Sequence, residues 1–450
     1  MTQLRTALTA LALTTLGLAT IGCGTNLKTV SSTVQGSAFQ GKVYGGQQPL
    51  VGATMQLYAA SANGYGQPYT YPTGTSLLGT NVVTTGNGGA FNITGDYTCP
   101  SYNTQVYLTA TGGNPGITQG SNPNIALIAA LGPCGALSAN TSIVINELTT
   151  VASVWALSPF MSSISGVGTS AGNTAGLANA FATVSKLVNV GTGTVSGPSL
   201  PPGAVVPAQK MNLIADILVG CVNSAGGVAT DTSTPCGALF SATAVNGIAP
   251  TDTVTAAMNL AQNPNLGVSL GTTVSPLAPF QPTPANLPGD FGLVITYSGG
   301  ALSTPAAIAA DAAGNLWIPN EGNNTVSKLD ALGTSATDPT GFLSGNSGFT
   351  TGPLSGPAGV AIDQSGSAWV TNGGNNTVTE ISPNGSSGTV FSGGSMNAPS
   401  GVAIDASGNV WVTNSGGTGI TKITPGTTPA YANYNGAGIA APSAIAINPK

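Results

Sequence analysis

Residues 304–320 (TPAAIAADAAGNLWIPN), 356–372 (GPAGVAIDQSGSAWVTN) and 398–414 (APSGVAIDASGNVWVTN) are copies of one another, and a fourth copy opens at 441–448 (APSAIAIN). Trp317, Trp369 and Trp411 recur after 52 and 42 residues. A period of about 40–50 residues made of short strands is the mark of β-propeller blades. No other feature of the chain constrains its fold so tightly.

One period divides into four strands. In the second copy Gly359 to Asp363 leads into the turn Gln364-Ser365-Gly366, where glycine supplies the positive φ of a tight hairpin. Ser367 to Asn372 returns with Trp369, Thr377 to Ile381 is a third strand rich in β-branched residues, and Gly388 to Phe391 is a short fourth. Asp311, Asp363 and Asp405 each stand at a strand end before a glycine turn, where a carboxylate accepts backbone N–H groups. The repeated tryptophans are expected between blades, where they bury a large apolar area. Asn320, Asn372 and Asn414 are expected as turn residues. Glu321 and Glu380 occur in single copies only, with no partner marked by the sequence.

These strings resemble the NHL-repeat propellers and are similar to the virginiamycin B lyase-like and gluconolactonase-like propellers. The resemblance covers Phe291 to Lys450. It implies a propeller fold more firmly than an activity. The lyases resembled use a catalytic histidine, and this chain contains no histidine. Lactonase-type members hold a divalent metal through carboxylate and amide groups from different blades, a set that cannot be placed here residue by residue. Val294 to Tyr297 has the look of a lone fourth strand and Ala444 to Ile447 of a lone first strand, giving three full blades plus two strands. Either the end strands join in a partial fourth blade, or the ring stays open with edges that attract partners.

The first 22 residues explain an odd cysteine. Met1 to Arg5 carries one charge, Ala7 to Ala19 is apolar, and Thr20-Ile21-Gly22 precedes Cys23. This resembles a bacterial lipoprotein signal, with Thr20 departing from the usual leucine. The resemblance implies lipid attachment at Cys23 and a cell-envelope, extracytoplasmic location, on the outer membrane if the organism is Gram-negative. Cys99, Cys134, Cys221 and Cys236 then remain. Four cysteines allow three pairings, and an oxidising compartment favours disulfides. The pairs Cys99–Cys134 and Cys221–Cys236 are preferred because each is close in sequence.

Charged residues make up only 5% of the 450, and Arg5 is the only arginine. Nucleic-acid binding, which needs clustered Lys and Arg, is therefore not expected. Histidine-dependent base catalysis and His-ligated zinc are excluded by composition. No cofactor is implied.

After a tether over 23–38, alternation at Ala53, Met55 and Leu57, then strands at 81–85, 90–93 and 105–110, argue for a β-sandwich over 39–135. Gly41-x-Val43, Pro49-x-x-Gly52-Ala53 and Gly89-x-Phe91 resemble the carboxypeptidase regulatory-like, transthyretin-like domain, which implies a spacer or binding module. Residues 136–270 read as a helical module, with helices at 146–157, 177–190, 207–222 and 253–261, the last capped by Asp252. Glu147 is expected as a helix N-terminal carboxylate. Trp155 is expected in the core, and Lys186, Lys210 and Asp216 on solvated faces. Five prolines make 271–290 a stiff linker into the blades at 291–450.

The chain thus reads as mainly β with a helical module: an N-terminal sandwich, a middle α-helical segment and a C-terminal partial propeller. Two functions fit. One is a membrane-anchored binding or scaffold lipoprotein with a protein or carbohydrate ligand, able to self-associate through open propeller edges. The other is a metal-dependent propeller enzyme of lyase or lactonase type.

Overall fold

The computed structural model describes residues 32–70, 75–118, 120–333, 340–436 and 438–448. The expected signal segment and Cys23 lie outside them. Among the described residues no helix is long and apolar enough to cross a membrane.

Two sheets form the sandwich. In the first, Phe39–Gly45 pairs antiparallel with Ala90–Ile93 and Gln48–Pro49, and parallel with Ser142–Ile145. In the second, Val83–Thr84, Thr54–Ala59, Gln105–Thr111 and Ala126–Pro133 follow in that order, all antiparallel. Strand alternation sends Val43, Met55, Leu57, Phe91, Leu108 and Ile143 into the core between the sheets. Ser142–Ile145 lies beyond Gly135, so the first sheet draws on residues read as helical module. Val34–Gln35 pairs with Thr98–Cys99, so the expected flexible tether is ordered strand at this point.

The outer face of the second sheet is also buried. Tyr107, Ile128 and Ala130 point away from the sandwich into a layer of five helices: α1 (Glu147–Leu157), α2 (Thr174–Leu187), α3 (Ala208–Val222), α4 (Pro235–Ala242) and α5 (Thr253–Gln262). Asn146 caps α1 in a reciprocal capping box with Thr149, and Asp252 caps α5 through the Thr255 N–H. Ala126–Pro133 is an edge strand, and helix hydroxyls satisfy its free N–H groups. Thr253 accepts from Ala126 at 3.0 Å, Thr150 from Ile128 at 3.1 Å, and Ser153 from Ala130 at 2.9 Å. That hydroxyl seam blunts an edge that would otherwise pair with another chain.

Both preferred disulfides are present. Cys99–Cys134 ties the short strand Thr98–Cys99 to the turn after Pro133, and Cys221–Cys236 ties the end of α3 to the start of α4. They suit an oxidising, extracytoplasmic environment.

Three antiparallel meanders follow. Blade 1 comprises Ala309–Ala310, Leu316–Asn320 and Thr325–Leu329, with an irregular outer strand bridging at Phe342 and Phe349. Blade 2 comprises Pro357–Ile362, Ala368–Asn372, Thr377–Ile381 and Gly388–Phe391. Blade 3 comprises Pro399–Ile404, Val410–Asn414, Gly419–Thr424 and Ala430–Asn435. The blades stack side by side, with apolar cores between 1 and 2 and between 2 and 3. This part of the chain is propeller-like.

Two expectations fail at its ends. Val294–Tyr297 joins no blade; Thr296 instead bridges Val205 in the loop before α3. Residues 441–448 form no ladder, yet they lie where a fourth blade would begin. A Cβ on Gly359 would come 2.2 Å from the Ser400 carbonyl of the next inner strand. A Cβ on Gly401 would come 3.0 Å from the Ser443 carbonyl. The segment thus stands to blade 3 as blade 3 stands to blade 2. The proline-rich 276–288 stretch is no free spacer either. It is strapped to α3, where Asp216 accepts from the Phe280 N–H at 3.0 Å and Asn212 donates to the Pro282 carbonyl at 2.9 Å.

Candidate functional site

The repeated residues of the blades are the natural candidates for chemistry, and each is held in a structural bond. Asp363 Oδ1 accepts from the Ser365 and Ser367 N–H groups at 2.8 and 2.9 Å. Its Oδ2 accepts from the Trp369 indole at 2.9 Å. Asp405 does the same with Ser407, Asn409 and Trp411, and Asp311 with Ala313, Asn315 and Trp317. The carboxylate folds the hairpin turn and fixes the ring plane together. The Trp411 indole bond, with those from Asn409 and Ser407, holds the Asp405 carboxyl down at about 2. Burial acts to raise Asp311 and Asp363, but hydrogen bonds outweigh it and both stay below the ordinary value.

Asn320, Asn372 and Asn414 are not turn residues. They are buried at strand ends and clamp three segments together. Asn372 Nδ2 donates to the Thr377 and Thr379 hydroxyls at 3.2 and 3.0 Å, and Oδ1 accepts from the Ser355 N–H at 3.3 Å. Asn320 holds Thr325, Ser327 and Ser303, and Asn414 holds Thr421, the Gly419 carbonyl and Asn397. A different pair joins blade to blade. Asn324 and Asn376, both at φ +56°, accept from the Gly356 and Ala398 N–H groups of the following blade at 2.8 and 2.7 Å. Thr418 stands at the corresponding position of blade 3.

The two single-copy glutamates do not converge. Glu321 is exposed at the end of its strand. Glu380 sits opposite Trp369, at the register position that Lys328 holds opposite Trp317 and Lys422 opposite Trp411. Lys328 is buried against Asp311 at 3.2 Å, with its ammonium 4.5 Å from the Trp317 ring centroid. In blade 2 the exchange puts like charges together. Burial, then Asp363, raises the Glu380 carboxyl.

Outside the blades, Glu147 does stand in the first turn of α1, but it is fully buried. Both its oxygens accept from the Gly46 N–H, at 3.1 and 2.9 Å. Burial raises its carboxyl to about 8; the Gly46 N–H opposes this and the charge of Asp216 adds to it. Asp216 and Lys186 are not on solvated faces: they are 5% and 4% exposed. Burial raises Asp216 to about 6 and lowers Lys186 to about 8. Lys210 pairs with Asp290 at 3.2 Å, partly exposed. Trp155 packs against the helical core and donates to the Phe291 carbonyl at 2.8 Å.

A cavity of about 570 Å³ opens between the sandwich and α2, walled by Leu131, Ile143, Phe181, Ala182, Val188 and Leu332. Its polar groups are amides and hydroxyls, and among the described residues no ionisable side chain lines it. Its walls can hold an apolar body and orient it by a few neutral hydrogen bonds. Among the described residues no group of three or more His, Cys, Asp or Glu side chains is placed to hold a metal ion.

No protein-family model matches the chain, and no curated protein matches it. Among solved structures it is similar to a streptogramin B lyase, at 21% identity over 32% of this chain and 44% of that one, with a TM-score of 0.26. Virginiamycin B lyase from Staphylococcus aureus gives 20% identity over 31% and 44%, with a TM-score of 0.26. A chain of a nidogen/laminin complex gives 17% identity over 32% and 52%, again with a TM-score of 0.26. The chain spans less than half the length of the lyases it matches.

Proposed function

We propose that this protein is an extracytoplasmic lipoprotein, anchored through Cys23, that works as a binding or scaffold protein through its propeller blades. One observation carries the reading. The Asp, Trp and Asn groups repeated in every blade are engaged in turn, ring and strand clamps. Clamped groups of that kind hold a rigid surface in shape rather than turn over a substrate. In chain order the sandwich and helical layer stand between Cys23 and the blades, and the two disulfides suit service outside the cytoplasm.

Two measurements test the reading. The purified protein, supplied with Ca²⁺ or Mg²⁺, is expected to give no saturable turnover of lactone substrates; saturable, metal-dependent turnover would overturn the binding role in favour of the propeller-enzyme alternative. In cells, Cys23→Ser is expected to move the protein from the membrane fraction to the soluble one. A variant that stays with the membrane after a carbonate wash contradicts the anchor.

A further inference from the structure

The cavity of about 570 Å³ between the sandwich and α2 does not stand alone. A second hollow, of about 530 Å³, continues it past Gln105 and Ala178, which line both. Thr174, Ala178, Phe181, Ala182 and Ser185 fall at helical spacing, so one face of α2 roofs the two spaces. Small side chains at Ala178, Ala182 and Ser185 leave the room beneath the helix. Gln105 stands at the waist, tied through Nε2 to the Asn103 carbonyl at 3.1 Å.

The two spaces differ in their lining. The first is walled mainly by aliphatic and aromatic carbon, from Leu131, Ile143, Phe181, Val188 and Leu332. The second is bordered by Ser61, Ser101, Asn103, Thr104 and Thr174, with alanines and Leu177 between them. Among the described residues neither space is lined by an ionisable side chain. A charged group drawn in would lose hydration and meet no counter-charge, whereas a hydroxyl or an amide finds its like. The polar end is also held in shape. The Cys99–Cys134 disulfide anchors its loop, the Cys134 N–H donates to the Thr104 carbonyl at 2.8 Å, and the Ser101 and Thr104 hydroxyls meet at 2.9 Å.

We infer that the joined spaces are one binding site for an uncharged amphiphile of drug size, with its apolar body in the first and a hydroxyl- or amide-bearing end in the second. The site lies outside the repeated blade motifs and goes beyond the role assigned to them. A peptide strand suits it poorly, because the sheet edges that border it are already engaged. The Ala130 N–H donates to Ser153 at 2.9 Å, and the Val144 N–H donates to the Val190 carbonyl at 2.8 Å.

The test uses the intact protein, with N-phenyl-1-naphthylamine as an uncharged fluorescent probe and octyl β-glucoside below its micellar concentration as competitor. Saturable probe fluorescence is expected, and at neutral pH the glucoside is expected to displace the probe at least about tenfold more effectively than octanoate does. Ala182→Phe, which fills the first space, is expected to weaken probe and glucoside alike by at least about tenfold. Asn103→Ala combined with Thr174→Val is expected to weaken the glucoside and leave the probe unchanged. Both of those positions are exposed, so their replacement leaves the fold intact. Should a melt show Ala182→Phe unfolded, Ser142→Asp tests the first space instead, with the same loss expected, since Ser142 lines it and is exposed. Absence of saturable probe binding, or binding indifferent to the folded variant of the first space, overturns the site. Octanoate matching the glucoside, or glucoside binding untouched by the Asn103 and Thr174 changes, overturns the uncharged amphiphile as its ligand. Failure here leaves the role of the blades standing, because that role answers to the turnover assay.

Discussion

Trp317→Ala and Trp369→Ala are each expected to lower folding stability by about 3–5 kcal/mol, whereas Trp411→Ala is expected to lower it by only roughly 1–2 kcal/mol. The three residues occupy one motif position and donate to one kind of carboxylate. They differ in what lies on the ring. Trp317 and Trp369 are 0% and 2% exposed, so alanine leaves a cavity between two blades that neither sheet can close. Trp411 has solvent on one side, and its loss forfeits chiefly the Asp405 bond and the Tyr434 contact. Denaturant melts of the three variants, followed by circular dichroism, compare them directly. Equal losses at all three positions contradict this account of the blade stack.

Stability is expected to fall as pH rises from about 5 to about 8, by an amount on the order of a few kcal/mol. The sign follows from two buried carboxyls. In the unfolded chain Glu147 and Asp216 ionise near the ordinary value of about 4. In the folded protein burial keeps Asp216 protonated to about 6 and Glu147 to about 8. Between those limits the folded state binds more protons, so each rise in pH favours unfolding. Below the ordinary value their stabilising contribution is fully present, and above about 8 it is gone. Asp405, Asp311, Asp363 and Asp290, all held below the ordinary value, act in the opposite sense, and their contribution is lost as pH falls below about 4. Lys186, lowered to about 8, acts above the window. Glu147→Gln keeps an acceptor for the Gly46 N–H and removes the ionisation, so it is expected to flatten most of the decline. Unfolding midpoints at pH 5 and pH 8 for both proteins measure this. A wild-type midpoint that is level or rises with pH contradicts it.

The blades were legible because a repeat states the same strand pattern three times and makes each copy a check on the others. The same copies revealed the turn role of Asp363 and the packing role of Trp369 and Trp317. The helix α1 was legible from Asn146 and the spacing behind it, and α5 from Asp252. Other elements gave weaker signals for physical reasons. Ala126–Pro133 is buried on both faces through its first five residues, so it shows a continuous apolar run instead of alternation. The helix α4 is only eight residues, too short for a clear period. Val294–Tyr297 has strand-like residues, but its bridging partner Val205 is 91 residues away, and local pattern carries no such information.

The asparagine clamps were missed although a signal was present. Asn320, Asn372 and Asn414 are followed five and seven residues later by Thr325 and Ser327, Thr377 and Thr379, and Gly419 and Thr421. A hydroxyl recurring at the seventh position places it across the hairpin from the amide. Asp216 and Lys186 read as surface charges because helical periodicity locates a face without saying what covers it, and here the 276–288 strap and the Tyr297 region do so.

The central claim is that the described residues hold three equivalent tryptophans, of which Trp317 and Trp369 are buried between blades and Trp411 is partly exposed. Labelling the intact protein with 5-fluorotryptophan and recording ¹⁹F spectra tests it most directly, with each resonance assigned by a Trp→Phe variant. The account predicts that the Trp411 resonance shifts between H₂O and D₂O and broadens with a soluble paramagnetic reagent, while those of Trp317 and Trp369 do neither. A Trp411 resonance as protected as the other two would contradict the claim.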